Sequence, residues 1–347
     1  MLTAVLQNGN MKAKICIIGN GEFANKVHYP SLFSFDDVEV MGILAFDEVR
    51  LKQTAERYNI HPSRVYAMKS RTDYKNILSR VKPDGVYVIG PPEQMLDCWI
   101  WCLENHFNLF IEKPLGITLH QAEMLTYLAE KNKCITQVSF QRRSSPIIRQ
   151  MRAECLKRGA ITHAVVEFNK CEIRPMLGAR DRMLDDFTHC VDTARWVCGG
   201  EVLQISSGCR RIATPDINWI GATLNFDNGA TCFVTGNWSS GRRVFRVNMH
   251  SHGICAEVEP EKEAFLYADG DYNGRRFDTI ELAGSKELFV YGGFQQKNRE
   301  FIDSLRQGKE NTSSPFRDAV KTMQICDMIL KQASTLPYTL SSFTGAV

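Results

Sequence analysis

Near its start the chain runs Ile15-Cys16-Ile17-Ile18 straight into Gly19-Asn20-Gly21-Glu22-Phe23-Ala24, an apolar strand that meets a glycine turn and opens a helix. No other stretch limits the fold as much. A strand this apolar suits the middle of a parallel sheet, buried on both faces. The turn after it has the Gly-x-Gly-x-x-Ala form of a dinucleotide fingerprint, in which each small residue has a physical reason. Gly19 permits the tight turn, Gly21 lets the backbone approach a pyrophosphate, and Ala24 allows the helix to pack closely on the strand. The amides at the helix start, where Glu22 and Phe23 lie, are placed to hold phosphates. A glycine turn after a strand is common by itself, so its meaning depends on the rest of the chain.

Strands and helices alternate from there. A second strand, Val38-Glu39-Val40-Met41-Gly42-Ile43-Leu44, leads to Ala45, Phe46 and Asp47, where a dinucleotide's adenosine ribose would lie. A carboxylate closing that strand favours NAD, and its absence beside a cation favours NADP. Here Ala45 takes the closing position, Asp47 comes two residues later, and Arg50 and Lys52 come next, either to reach a 2'-phosphate or simply to solvate a helix. The balance tilts toward NADP, with NAD kept open. Helices are expected over 51–58, 72–81, 96–105, 119–131 and 146–158. A buried strand stops at Gly90-Pro91-Pro92, where a loop can face the nicotinamide ribose, and another strand is expected over 134–140. Between these lies Leu109-Phe110-Ile111-Glu112-Lys113-Pro114, an apolar run ending in a charged pair and a proline. Glu112 and Lys113 therefore stand at the mouth of a sheet, where a partly desolvated ammonium can exchange protons with a substrate oxygen. A surface ion pair ahead of a proline turn is the plainer alternative. The units up to residue 140 amount to a doubly wound nucleotide-binding domain over 12–140, preceded by a disordered leader over 1–11 in which Met11 could be an alternative start.

Beyond it the texture changes. Strands are expected over 164–168, 222–226, 231–234, 245–249 and 254–258, with Asp227-Asn228-Gly229 as a hairpin turn, because Asn and Gly accept positive φ. The second half, 141–347, reads as a mostly antiparallel open sheet closed by helices over 295–305 and 315–332. Its uncovered face suggests a homodimer or homotetramer. One helical stretch interrupts the strands. It runs from Arg182 to Trp196 and sets Asp185, His189 and Asp192 four and three residues apart on one face. An acid stacked on an imidazole suits a proton relay. A helix-start capping pair is the alternative. Metal ligation lacks a second element to supply ligands.

A net charge of +3 over 347 residues gives no reason to expect nucleic acid or an anionic membrane as partner. The chain has no apolar run long enough to cross a bilayer. Its twelve cysteines are scattered without a Cys-x-x-Cys pair, which suits a reducing cytoplasm better than a disulfide framework or a metal site.

Taken in order, Gly19-x-Gly21-x-x-Ala24, Glu112-Lys113-Pro114 and Asp185-x-x-x-His189-x-x-Asp192 make the chain resemble the glucose-fructose oxidoreductase, inositol dehydrogenase and rhizopine-catabolism (Gfo/Idh/MocA) family from Lys14 to about Lys331. The resemblance implies a Rossmann domain plus an α/β domain with an open sheet, and a nicotinamide-dependent dehydrogenase or reductase of a sugar, sugar acid, cyclitol or nucleotide-linked sugar. By it, Lys113 and His189 handle the proton and Asp185 positions substrate and histidine. Phe46, Asp47, Pro91, Pro92, Glu112 and Lys113 join the glycine turn around the cofactor, and Arg143 and Asp192 face the substrate. The chain departs from the family at Ala45, at Met95 in place of a histidine, at Phe187 in place of a glycine, and at Ala179-Arg180-Asp181-Arg182 in place of small residues. Arg180 and Arg182 could grip a carboxylate or phosphate in a bidentate way, which points to an acidic or nucleotide-linked sugar; solvated loop arginines are the common alternative. Two other functions share this pattern: a redox-neutral eliminase that keeps its cofactor bound, and a non-enzymatic dinucleotide sensor. The sensor has no use for Lys113, Asp185 and His189.

Overall fold

The computed structural model describes residues 12–172, 174–176 and 181–334, so the leader and Arg180 lie outside the described residues. The chain divides into two compact units. The first comprises residues up to Gly116, His120–Ser144 and Glu287–Val320; the second comprises Ile117–Leu119, Ser145–Lys286 and the residues from Lys321 on.

The first unit is built on six parallel strands: β1 (Ala13–Ile18), β2 (Val38–Ala45), β3 (Val65–Ala67), β4 (Gly85–Val88), β5 (Asn108–Ile111) and β6 (Thr136–Val138). Their order is β3-β2-β1-β4-β5-β6. This is the Rossmann arrangement. The strand order reverses between β1 and β4, and ligands of such sheets bind at the carboxyl ends beside that point. Ile15, Cys16, Ile17, Val86, Tyr87 and Val88 are fully buried, as strands covered on both faces must be. The helix after β2 is Glu48–Arg57, three residues earlier than the apolar spacing predicts, because the Asp47 carboxylate caps it by accepting the Arg50 amide at 2.9 Å. The helix after β4 starts at Pro92, which lacks the N–H that a first turn leaves unpaired anyway.

The segment Glu287–Val320 belongs to this first unit, whereas the sequence reading leaves it with the second half. Its helix Phe294–Gln307 sets Phe301 edge-on against Tyr87 and Phe110, so this helix covers apolar surface of the first sheet. A buried polar knot holds the segment down. The Glu300 carboxylate accepts from Gln137 Nε2 (3.1 Å), Ser144 Oγ (3.2 Å) and the Ser313 amide (3.1 Å), with the Lys297 ammonium 3.3 Å away. Burial pushes the Glu300 carboxyl up, but the Lys297 charge and the bonds from Ser313 outweigh it and hold it below the usual 4.5. A depressed carboxyl contributes stability that is present above its unfolded value and is lost as pH falls through the folded value. Glu300→Gln removes the carboxylate charge beside the buried Lys297 ammonium, at a cost of about 3 kcal/mol near neutral pH. Thermal unfolding of both proteins should show the gap narrowing as pH falls below 4.5. A gap that is constant from neutral to acid pH would contradict this.

The second unit carries eight strands: β7 (His163–Cys171), β8 (Val202–Arg210), β9 (Trp219–Phe226), β10 (Thr231–Asn237), β11 (Ser239–Ser251), β12 (Ile254–Glu259), β13 (Glu263–Ala268) and β14 (Arg275–Asp278). Their order is β14-β13-β12-β11-β7-β10-β9-β8. Pairing is antiparallel throughout except for β7 with β10. Alternate residues such as Ala164, Val166 and Phe168 of β7 are buried in a core shared with helices Pro146–Leu156 and Thr188–Cys198. The opposite residues, among them His163, Val165 and Phe233, stay partly exposed on the other face. The hairpin between β9 and β10 turns at Gly229, whose φ is +84°. Among the described residues no helix is long and apolar enough to cross a membrane.

Candidate active site

In the first unit the glycine turn lies at the point where the strand order reverses. The Gly19 amide donates to the Leu44 carbonyl at 2.8 Å, and its φ of +105° lies in the region L side chains avoid. A Cβ at Gly19 would stand 2.0 Å from the Ile89 carbonyl oxygen, whereas one at Gly21 would meet nothing within 4 Å. The chain therefore needs glycine at 19 for its own packing, and it keeps the space beside Gly21 open. That is the cradle a pyrophosphate requires, so these residues fit a dinucleotide. Ala24 is fully buried against the sheet. The helix then starts with a wide π turn, Ala24–His28, before continuing as Tyr29–Phe33. Such turns recur at functional sites.

Lys113 is half-buried just past the carboxyl end of β5, followed by Pro114 through a cis peptide bond. The Glu112 carboxylate turns inward and meets His28 Nε2 at 2.8 Å, a buried partner that the sequence reading missed. No local signal reveals it, since the two residues lie 84 positions apart. Phe46 is 52% exposed and Phe23 44% exposed, so both remain available to a ligand. Asp47 caps a helix and lies 3.6 Å from Arg50 Nε. Lys52 is paired with Glu48 at 2.8 Å. Beside the glycine turn, Glu22, Asn25, Lys26, Arg50, Thr54 and Arg57 line a cavity of about 480 Å³ in which three cations face one carboxylate. Pro91 precedes the helix that Pro92 begins, and Met95 packs 3.1 Å from the place a Gly90 Cβ would occupy.

In the second unit the Asp-His helix also begins with a π turn, Met183–Phe187, which continues as Thr188–Cys198. Asp185 is half-buried in the π turn and His189 is 7% exposed in the first α turn. A half-buried carboxylate and a nearly buried imidazole one turn apart can exchange a proton with a hydroxyl. The next residue, Asp186, went unnoticed in the sequence. It accepts from Trp238 Nε1 at 2.8 Å and lies 2.7 Å from the ammonium of Lys170, which ties the π turn to the sheet. Lys170 shares the buried parity of β7 with Phe168, whose ring centre is 6.5 Å from that of His189.

Three expected substrate residues are buried and engaged with partners inside the protein. Arg182 is 1% exposed. Its guanidinium meets Glu172 Oε2 (3.0 Å) and the carbonyls of Glu172 (3.0 Å) and Arg174 (2.8 Å), with Asp216 3.3 Å from Nε. Arg143 is 5% exposed and donates to the Ser313 carbonyl and Asp318, both at 2.7 Å. A substrate could reach either cation only by displacing partners already in place. Asp192 is 1% exposed and accepts from Thr322 Oγ1 at 3.1 Å, while Thr322 accepts from Arg195 at 2.9 Å. This network holds one helix to another.

Residues 13–140 match a family model described as "Oxidoreductase family, NAD-binding Rossmann fold" (Gfo/Idh/MocA). A putative oxidoreductase, YceM, of Salmonella typhimurium is 28% identical over 143 residues, 41% of each chain. The scyllo-inositol 2-dehydrogenase (NAD(+)) of Bacillus subtilis is 25% identical over 247 residues, 65% of this chain and 68% of its own. The crystal structure of a dehydrogenase from Chromobacterium violaceum superposes with a TM-score of 0.81 at 18% identity, covering 93% of this chain and 96% of that one, which establishes a shared fold. With the Rossmann sheet, the open cradle beside Gly21 and the antiparallel second sheet all in place, residues 13–140 carry the NAD-binding Rossmann fold of the Gfo/Idh/MocA oxidoreductase family model, and the chain as a whole is similar in fold to dehydrogenases.

Proposed function

We propose that the chain is an NAD(P)-dependent dehydrogenase or reductase acting at a hydroxyl or ketone carbon of a sugar or cyclitol. The observation that carries this reading is the pairing, in one unit, of a glycine cradle at the strand-order reversal with a half-buried lysine at the carboxyl end of β5. The nicotinamide, when bound, supplies hydride transfer. The chain supplies the rest. Lys113 and His189 hold or release the proton of the substrate oxygen, and Asp185 orients the imidazole and the substrate. With Arg143 and Arg182 engaged inside the protein, a neutral polyol suits these residues better than an acidic sugar.

The cofactor is NADP in this reading. Asp47 is occupied at the helix start, and Lys26, Arg50 and Arg57 outnumber Glu22 around the adjacent cavity, which favours a 2'-phosphate over bare ribose hydroxyls. Titration with NADPH and NADH tests this. NADPH should bind more tightly, and Arg50→Ala should weaken NADPH about tenfold while leaving NADH nearly unchanged. Turnover is then screened with polyols, cyclitols and sugar acids through the nicotinamide absorbance. Failure to bind either nucleotide overturns the reading. Product formation with no net absorbance change would favour a redox-neutral enzyme.

A further inference from the structure

His28 is an imidazole with no solvent exposure, placed where three separate stretches of the first unit meet. It lies in the π turn just after the glycine turn. Its Nε2 is 2.8 Å from Glu112 Oε1, just past β5, and its Nδ1 is 3.3 Å from Asn298 Oδ1 on helix Phe294–Gln307. Asn298 is itself held, donating to Ser31 Oγ at 2.8 Å. The rings of Phe23, Tyr87, Phe110 and Phe294 surround the imidazole, with centres 5.4 to 6.5 Å away. An apolar box of this kind strengthens a polar contact inside it and makes an unmatched partner costly. This cluster differs from ordinary core polarity in that its acceptor is the chain neighbour of Lys113. Glu112 is the first residue past β5 and Lys113 follows it directly at a bend, so fixing the Glu112 carboxylate inward limits where the backbone can carry Lys113.

We infer that His28 is a positioning residue for Lys113. Through the Glu112 carboxylate it ties the lysine to the helix after the glycine turn, so the cofactor cradle and the proton-handling ammonium share one anchor. Glu112 then works from behind the site, as the fixed end of that tie, and does not touch the cofactor. The inference rests on the reading of Lys113 as the proton-handling group. A misplacement of the reacting group by about 1 Å costs on the order of a hundredfold in rate, so loosening the tie should appear in kcat and leave binding alone.

The test measures kcat, substrate KM and NADPH affinity for Glu112→Ala, Glu112→Gln, His28→Ala and His28→Gln, with the melting temperature of each. Glu112→Ala and His28→Ala should lower kcat by about 10- to 100-fold, with KM and NADPH affinity within about threefold. Glu112→Gln keeps an oxygen for the imidazole N–H and should recover most of what Glu112→Ala loses; a purely structural role would not separate kcat from KM in this way. If His28→Ala fails to fold, the Glu112 pair and His28→Gln decide. Wild-type kcat in Glu112→Ala, or a Glu112→Gln as impaired as Glu112→Ala, overturns the inference. Lys113→Met separates the two levels. If it turns over normally, the underlying reading fails; if it is dead while the His28 and Glu112 variants are normal, only the positioning role fails.

Discussion

Lys113→Met should lower kcat by about 10²- to 10⁴-fold, the range expected when a positioned acid or base is lost, while NADPH affinity stays within about threefold. Methionine keeps the length of the side chain and removes the ammonium, so packing just past β5 is nearly retained while proton transfer is not. Steady-state rates on whichever polyol gives turnover, set beside a fluorescence titration of cofactor, separate the two effects. A matching loss in kcat and in kcat/KM marks an interaction made only in the transition state. A rise in KM with kcat intact would instead make Lys113 a binding group, and the proton would then have to be handled by His189 alone.

The second large effect belongs to Gly19. Gly19→Ala forces a Cβ to within 2.0 Å of the Ile89 carbonyl oxygen at a φ of +105°. Both the clash and the backbone strain fall between β1 and β4, the two strands on either side of the order reversal. Backbone strain alone costs about 1–3 kcal/mol, and the clash adds to it by prising the strands apart. NADPH binding should weaken at least 100-fold, with a clear fall in melting temperature. Gly21→Ala is the informative contrast. Its Cβ meets nothing within 4 Å, so the melting temperature should barely move while nucleotide affinity still falls, because the added methyl occupies the approach to the pyrophosphate. If Gly19→Ala melts and binds like the wild type, the cradle is not where this turn puts it.

The central strands of the first sheet were easy to read because they carry apolar runs that end at glycine or proline turns. Ile15 to Ile18 and Gly85 to Val88 admit few alternatives. The Asp-His helix was legible through its spacing, although nothing in that spacing showed that its first turn would be π. What stayed hidden depends on contacts between distant positions or on mixed strands. β3 has three residues, and β14 reads Arg-Arg-Phe-Asp at a sheet edge, so neither shows a usable period. The partners of His28 lie 84 and 270 residues away. Arg182 reads as a loop cation near a substrate, but Glu172 and Asp216 close on it only once the chain has folded. Asp47 was ambiguous for a simpler reason: a carboxylate after β2 can meet a ribose or cap a helix, and the sequence does not show the cap that the fold gives it.

Helix Phe294–Gln307 has a consequence for how the protein is made. Tyr87 and Phe110 leave the ribosome roughly two hundred residues ahead of Phe301, which covers them. During that interval the nascent nucleotide-binding half carries a sticky aromatic patch and lacks Asn298, the amide beside His28. The stretch from Ser145 to Lys286 passes through the exit tunnel in the meantime. The covering of these rings therefore waits for helix Phe294–Gln307, which leaves a chaperone ample time to shield them.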